Sequence, residues 1–453
     1  MASGARREAR RRGLKLSRAR RRGYPAAAVA ERLDELHLAD LHALAARLGV
    51  PRFRLLRREE LVSEIEARNG GGEVAAAEPE VAAEPEPERE PELGPEAERE
   101  RERAAEPEVE AVSGVLEITS QRYGFLRLHG LDPGPDDVYV SASQVRRLEL
   151  RTGDEVAGPA RSPRRGERHR ALVHVDQVNG GEPVAERPEF ERLTPIVPTR
   201  RVPLDHDPGD VLLRAVELLA PLALGQRVLV TAAPRSGRTT LLRGLARAIG
   251  AVERCEMIVL LIDERPEEAT AWRAALPEAE IASATAELAP DEQVRAAELA
   301  LERARRHAEA GKDAVLIVDS LSRLAVAADR VTDVKRMFGS GRELAEDGAG
   351  SMTVIATVVA GADDGGAAER AVMTTESSLI ALDPELAAAG VIPALRAGDC
   401  RVSNEDELRG PDELGAVRRL RSLLASLDPA EAADLLRERI EGAPTNRDLL
   451  QSI

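Results

Sequence analysis

Arg227-Val-Leu-Val-Thr231 runs without a break into Ala232-Ala-Pro-Arg-Ser-Gly-Arg-Thr-Thr240, and a helical stretch over 240–249 follows. An apolar strand, a tight turn and a helix N-terminus in that order form an anion cradle, because the turn's backbone N–H groups and the helix dipole favour a bound phosphate. Thr239 is placed to ligate Mg²⁺. The pattern G-x-x-x-x-G-K-[ST] is met imperfectly, with Ala232 at the first Gly and Arg238 at the Lys. Taken alone, the stretch also reads as an ordinary strand–turn–helix corner.

The surroundings decide between these readings. Further apolar runs are Met257-Ile-Val-Leu-Leu-Ile262, Ala314-Val-Leu-Ile-Val318 and Met352-Thr-Val-Ile-Ala-Thr357, with helical stretches between them such as 291–310. Continuous apolar strands alternating with helices indicate a parallel sheet covered on both faces. Asp263, Glu264 and Arg265 follow one run, and Asp319 and Ser320 close another. Ligands of open α/β sheets bind at these carboxyl ends, and an Asp there is the Mg²⁺-associated position of such folds. Acidic helix caps explain any one of these strand ends but explain all of them poorly, which favours a nucleotide site.

Upstream, the texture differs. The chain has 453 residues, room for two or three domains at roughly 150 residues each. With 43% hydrophobic residues it can bury a core, and no apolar stretch is long enough to cross a membrane. The N-terminus lacks the apolar core of a secretory signal, so a cytoplasmic location is expected. Two cysteines, Cys255 and Cys400, exclude a disulfide framework. Of 64 basic residues only Lys15, Lys312 and Lys335 are lysines, a bias that makes Arg in place of Lys less surprising. The net charge of −16 is unevenly spread: residues 71–112 hold 15 Glu against 4 Arg, whereas the first 23 residues are strongly basic. These features predict a basic disordered arm over 1–30, a helical module over 31–70 carried by Leu33, Leu36, Leu41, Leu44 and Leu48, and an acidic disordered linker over 71–111.

Residues 112–182 read as five short strands with turn signals between them, the pattern of a small OB-type β-barrel. Tyr123, Phe125 and Tyr139 are three of only eight aromatics, and Arg122, Arg127, Arg146 and Arg147 lie among or near them. Tyr123 and Phe125 share a strand face while Leu126 and Leu128 point the other way into the core. Aromatics on an open face beside arginines form stacking platforms for single-stranded bases; the competing reading is that they fill the barrel.

Tyr123-Gly-Phe-Leu-Arg127, Asp136-Asp-Val-Tyr-Val-Ser141, Leu150-Arg-Thr-Gly-Asp154 and Gly166-Glu-Arg168 resemble the cold-shock-type RNA-binding domain of the bacterial Rho termination factors. Leu260-Leu-Ile-Asp-Glu-Arg-Pro-Glu-Glu268 is the most specific match, and Asp319-Ser-Leu-Ser-Arg-Leu324, Lys335-Arg-Met-Phe-Gly339 and Thr353-Val-Ile-Ala-Thr357 extend it. The resemblance covers roughly residues 33–70 and 112–440. It implies a RecA-like P-loop ATPase domain over 183–453 behind the OB barrel and helical module, assembled as a homohexamer that binds single-stranded RNA and uses ATP and Mg²⁺ to move along it, with RNA polymerase as a partner.

The candidate nucleotide-binding set is Gly225, Gln226, Arg227, Arg235, Ser236, Gly237, Arg238, Thr239, Thr240 and Arg265. Thr239 and Asp319 are expected to hold Mg²⁺, Glu264 to polarise the attacking water, and Arg401 to be the candidate arginine finger. Tyr123, Phe125, Arg127, Tyr139 and Arg168 are the expected RNA contacts. The departures fall in the motor. The family's loop reads like Ala-Pro-Pro-Lys-Ala-Gly-Lys-Thr, so Arg235 and Arg238 replace both lysines. A Gly-rich RNA-gripping loop is reduced to 325–334, the second pore loop over 361–366 lacks its Lys, Gly390 replaces an Arg, and Ile392 stands where adenine would meet a Phe. The expectation is nucleotide binding with weak or absent hydrolysis. The rivals are a non-hydrolysing regulatory paralogue and, less well supported, a generic RecA-like DNA-binding ATPase.

Overall fold

A computed structural model of the chain describes residues 109–453 apart from 165, 184–185, 252–254 and 360–364, together with 41, 45, 50, 62, 63 and 65. The chain divides into two compact units, 1–92 and 93–453. In the first, Leu41, Ala45, Val62, Ser63 and Ile65 are helical and all of these except Ser63 are buried. The rest of the expected helical module, the basic arm and the linker up to residue 108 lie outside the described residues.

The barrel begins at Val109, three residues before the expected boundary. Its strands are β1 (Val109–Ile118), β2 (Gly124–Arg127), β3 (Val138–Val140), β4 (Glu155–Arg161) and β5 (Ala171–Leu172), with a short β6 (Gln177–Val178) added beside β4. The order β1-β2-β3-β5-β4 closes because β4 pairs back onto β1 from Val109↔Arg161 to Val115↔Glu155. Alternation along the strands sends Leu116, Leu126, Val138, Val140, Val156 and Leu172 into the interior. A helix that the strand-only reading did not anticipate, α1 (Ala142–Arg147), plugs the barrel with Val145 and starts on a capping box between Ser141 and Gln144.

The second part is a mainly parallel sheet. Its strands are β7 (Arg227–Ala232), β8 (Cys255–Glu264), β9 (Glu280–Thr285), β10 (Asp313–Asp319), β11 (Ser351–Val359), β12 (Ser378–Ala381) and β13 (Arg401–Val402), in the order β9-β8-β10-β11-β7-β12-β13. All these pairings are parallel except β12 with β13. Both faces are covered, as the continuous apolar runs require. Val228, Val230, Met257, Val259 and Leu261 enter one core with the helix α2 (Arg238–Gly250). Leu229, Ile258, Leu260 and Ile262 enter the other with α4 (Pro290–Glu309). Between β8 and β9 runs α3 (Pro266–Ala275). After β10 come α5 (Leu321–Ala328) and α6 (Val331–Phe338), so the segment 325–334 is helical but for Asp329 and Arg330. No described helix is long and apolar enough to cross a membrane.

Barrel and sheet share a core. Val115 and Leu131 are buried in the cluster built around Ile258 and Leu299. Arg303 on α4 donates to Glu280 of β9 at 2.8 Å, to Glu155 of β4 at 3.1 Å and to the Gly153 carbonyl. Gly153 has φ 86°, and a Cβ there would lie 2.5 Å from the Glu302 carbonyl carbon, so the barrel turn abuts α4 directly. Burial raises the proton affinity of Glu280, but hydrogen bonds from His307 and Arg303 outweigh it and bring the carboxyl down to about 2. The unfolded value is about 4.3. The contribution is therefore complete above about pH 5 and is lost as the pH falls through the folded value. We expect Glu280→Gln to lower stability at pH 7 by roughly 2–3 kcal/mol, and the difference from wild type to vanish near pH 2 in urea titrations across pH.

Candidate functional site

The parallel register brings the expected strand ends together. Ala232 pairs with Val359, Val318 with Ala356 and Leu261 with Asp319, so the loop after β7 and the carboxylates ending β8 and β10 share one edge. The loop turns at Arg235, φ 65°, and at Gly237, φ 86°, which is the N-cap of α2 and has no side-chain cap. The first amides of a 13-residue helix are thereby left facing outward for an anion. Ser236 is buried, its hydroxyl donating to the Ala233 carbonyl at 2.7 Å. Arg235 and Thr240 border cavities on both sides of the loop. One, of about 960 Å³, also takes in Arg238, Thr239, Asp263 and Arg323. The other, of about 790 Å³, takes in Ser236, Gly390 and Ile392.

Arg238 lies across the acidic strand ends. Its Nη2 donates to Glu264 Oε1 at 3.0 Å, and its Nε lies 3.1 Å from Asp319 Oδ1. Asp319, only 2% exposed, also accepts from the Thr357 hydroxyl at 3.0 Å. Burial pushes the Asp319 carboxyl up, assisted by the charge of Glu264; Arg238 and Thr357 offset only part of this. A second guanidinium, that of Arg323 on the first turn of α5, donates to Glu264 and to the Ile262 carbonyl. Arg323 stood within a quoted match but carried no expected role; its cue is its place three residues after Ser320, the N-cap of α5.

Thr239 and Asp319, the pair expected to hold Mg²⁺, do not fit a resident metal in this arrangement. The Asp319 oxygen nearest the loop is taken by Arg238 and Thr357. Among the described residues no three His, Cys, Asp or Glu side chains converge as metal ligands.

Three expected nucleotide contacts lie elsewhere. Gly225, Gln226 and Arg227 stand at the amino end of β7, a strand's length of roughly 17 Å from the loop. There they build a turn. Gly225 has φ 92° with Glu343 pressed against it, Gln226 is buried and accepts from the Ala223 amide at 2.9 Å, and Arg227 donates to the Thr375 and Gly341 carbonyls. Arg265 is exposed as the N-cap of α3 and lines neither cavity. Arg401 is exposed on the edge strand β13, paired with Glu376 at 2.6 Å, and is not brought to the loop of its own chain.

On the barrel, Tyr123, Phe125 and Tyr139 are each half-buried while Leu126, Val138 and Val140 between them are buried. Phe125 and Tyr139 are direct partners across β2 and β3. Ring centroids lie 5.8 Å apart for Tyr123–Phe125, 5.5 Å for Tyr123–Tyr139 and 6.2 Å for Phe125–Tyr139. A fourth ring, His169, stands 5.1 Å from Phe125; it follows the quoted Gly166-Glu-Arg168 motif directly and was missed. His169, exposed Arg168, Tyr139 and Arg147 border a cavity of about 810 Å³. Arg127 is not a free cation: Glu117 and Asp137 hold it, raising its proton affinity against burial, and its guanidinium sits 5.8 Å from the Phe125 ring centre.

Comparison with known proteins bears on both sites. The family described as "Rho termination factor, RNA-binding domain" matches residues 112–184, and "ATP synthase alpha/beta family, nucleotide-binding domain" matches 213–400. A transcription termination factor Rho of Aquifex aeolicus (strain VF5) is 34% identical over 450 residues, covering 93% of this chain and 95% of that one. The chain belongs to the Rho family. Rho of Mycobacterium leprae (strain TN) is 35% identical over 76% of this chain and 60% of its own length. Rho of Streptomyces lividans is 37% identical over 76% of this chain and 51% of its own. The barrel is thus a Rho RNA-binding domain, and the sheet is a nucleotide-binding domain of the ATP synthase type. We expect Tyr123→Ala and Phe125→Ala each to remove about 1–3 kcal/mol of single-stranded RNA affinity per stacked base, measured by filter binding on folded protein.

Proposed function

We propose that this chain is an ATP-binding Rho of transcription termination whose motor hydrolyses ATP weakly or not at all. It works as a cytoplasmic homohexamer that holds single-stranded RNA on the aromatic barrel face, with RNA polymerase as a partner. The supporting observation is the position of Arg238. Its guanidinium joins Glu264 to Asp319, whereas hydrolysis needs Glu264 free to polarise water and the loop cation free to follow developing charge on the phosphates. Glu264 also holds Arg323, so two guanidinium groups crowd the carboxylate that would have to meet the attacking water.

Three further features support the reading. The helical α5–α6 segment leaves little chain to grip RNA in a ring's pore. Ile392, 56% exposed at the second cavity, offers a base an aliphatic contact and no ring. Arg401, two strands away from the strand that leads into the loop and paired with Glu376, would serve as a finger for a neighbouring subunit. Tyr123, Phe125, Tyr139, His169 and Arg168 carry the RNA, while Arg127 positions Phe125. Arg235, Ser236, Gly237, Thr239 and Thr240 carry the nucleotide phosphates. Mg²⁺ is left out of this proposal, since Asp319 is already held.

An unwinding assay on an RNA–DNA duplex with a single-stranded RNA tail tests it. The expected result is RNA binding without ATP-dependent strand release. Release that depends on ATP would make the arginines working substitutes for lysine and overturn the proposal.

A further inference from the structure

Arg238 presents a planar fork, and two of its edges are committed. Nη2 holds Glu264 Oε1 at 3.0 Å and Nε lies against Asp319 Oδ1 at 3.1 Å. Among the described residues Nη1 bonds no protein acceptor, and Arg238 borders the 960 Å³ cavity together with Arg235, Gly237 and Thr239. Two donors of the permanently charged group thus meet carboxylates, and one is left without a protein acceptor on a residue that borders the cavity beside the loop. A lysine ammonium is a compact charge on a flexible stem, and its three donors radiate from one nitrogen without a fixed plane.

A divalent metal at this edge would need an oxygen of Asp319. That side chain is 2% exposed, and its Oδ1 already takes Arg238 and the Thr357 hydroxyl. A metal on that oxygen would lie against the Arg238 guanidinium, and two like charges so close repel.

We propose that Arg238 is the resident cation of the nucleotide site, so that a nucleoside di- or triphosphate binds there without a divalent metal. This rests on the reading of the site as nucleotide-binding and adds its cation requirement. The guanidinium supplies the positive charge that a metal would bring, in a form that chelators do not remove. The acidic pair fixes its plane, and the loop amides with Arg235 complete the anion cradle.

Titration of the full chain with fluorescent N-methylanthraniloyl ADP and ATP, in magnesium chloride and again in EDTA, tests the proposal. Wild type is expected to bind with dissociation constants agreeing within about threefold in the two buffers, whereas Arg238→Lys loses about tenfold or more of its affinity in EDTA. Wild-type binding that falls about tenfold in EDTA would overturn the inference while leaving the nucleotide site standing. Manganese relaxation showing one tightly held ion per wild-type subunit in the nucleotide complex would do the same. No binding in either buffer, with RNA affinity intact, would overturn the nucleotide-binding reading itself. The wild-type comparison does not depend on the variant folding.

Discussion

Asp319 and Glu264 end adjacent parallel strands, one buried and the other nearly so, and carboxylates placed in this way require a cation between them. Arg238, the first residue of α2, supplies it. Much follows from that contact. It ties the loop after β7 to the ends of β8 and β10 and occupies an oxygen of each carboxylate. The Coulomb attraction is effective because Asp319 is shielded from water. Removing the guanidinium from such a pair costs about 3–5 kcal/mol, since it leaves buried charge uncompensated. A loop held in this way is biased toward the arrangement seen.

The barrel is fastened to the same framework by charge and by shape. Asp132 accepts from the Ser283 amide at 2.6 Å and pairs with Arg273, and Arg151 pairs with Glu309 at 2.9 Å. Gly153 lets a barrel turn lie on α4, and Leu131 is buried in the core of the sheet. Within the unit formed by 93–453, the aromatic face of the RNA-binding domain and the loop edge of the nucleotide-binding domain are thus mounted on one packed body. β9 carries Ser283 and Glu280, and it lies beside β8, which ends in Glu264.

The fold was legible where one physical signal dominates. Runs rich in Val, Leu, Ile and Met marked β7, β8, β10 and β11 because strands buried on both faces are largely apolar. β9, Glu-Ile-Ala-Ser-Ala-Thr, is partly polar because it is the edge strand, and β12 is only four residues long, so neither stood out. The capping box Ser141–Gln144 lay between two short strands, where the six-residue helix it starts is too short to show a helical period. At the site, strand direction decides what sequence proximity cannot. Arg227 and Arg238 are eleven positions apart, yet one opens β7 and the other lies beyond its far end. The resemblance carried Gly225, Gln226 and Arg227 into the nucleotide set without that distinction. Nor do the spacings of Glu264, Asp319 and Arg323 reveal that one guanidinium spans two strand ends, which depends on register between chain segments far apart. His169 escaped because a lone histidine beside a motif carries little signal until Phe125 is placed against it.

The central claim is that the loop cation serves binding at the expense of turnover. Steady-state ATP hydrolysis by the purified chain, measured with and without saturating single-stranded RNA, tests it most directly. The account predicts slow turnover that RNA does not raise. A rise of about tenfold or more on adding RNA, to a rate on the order of 1 per second, would contradict it.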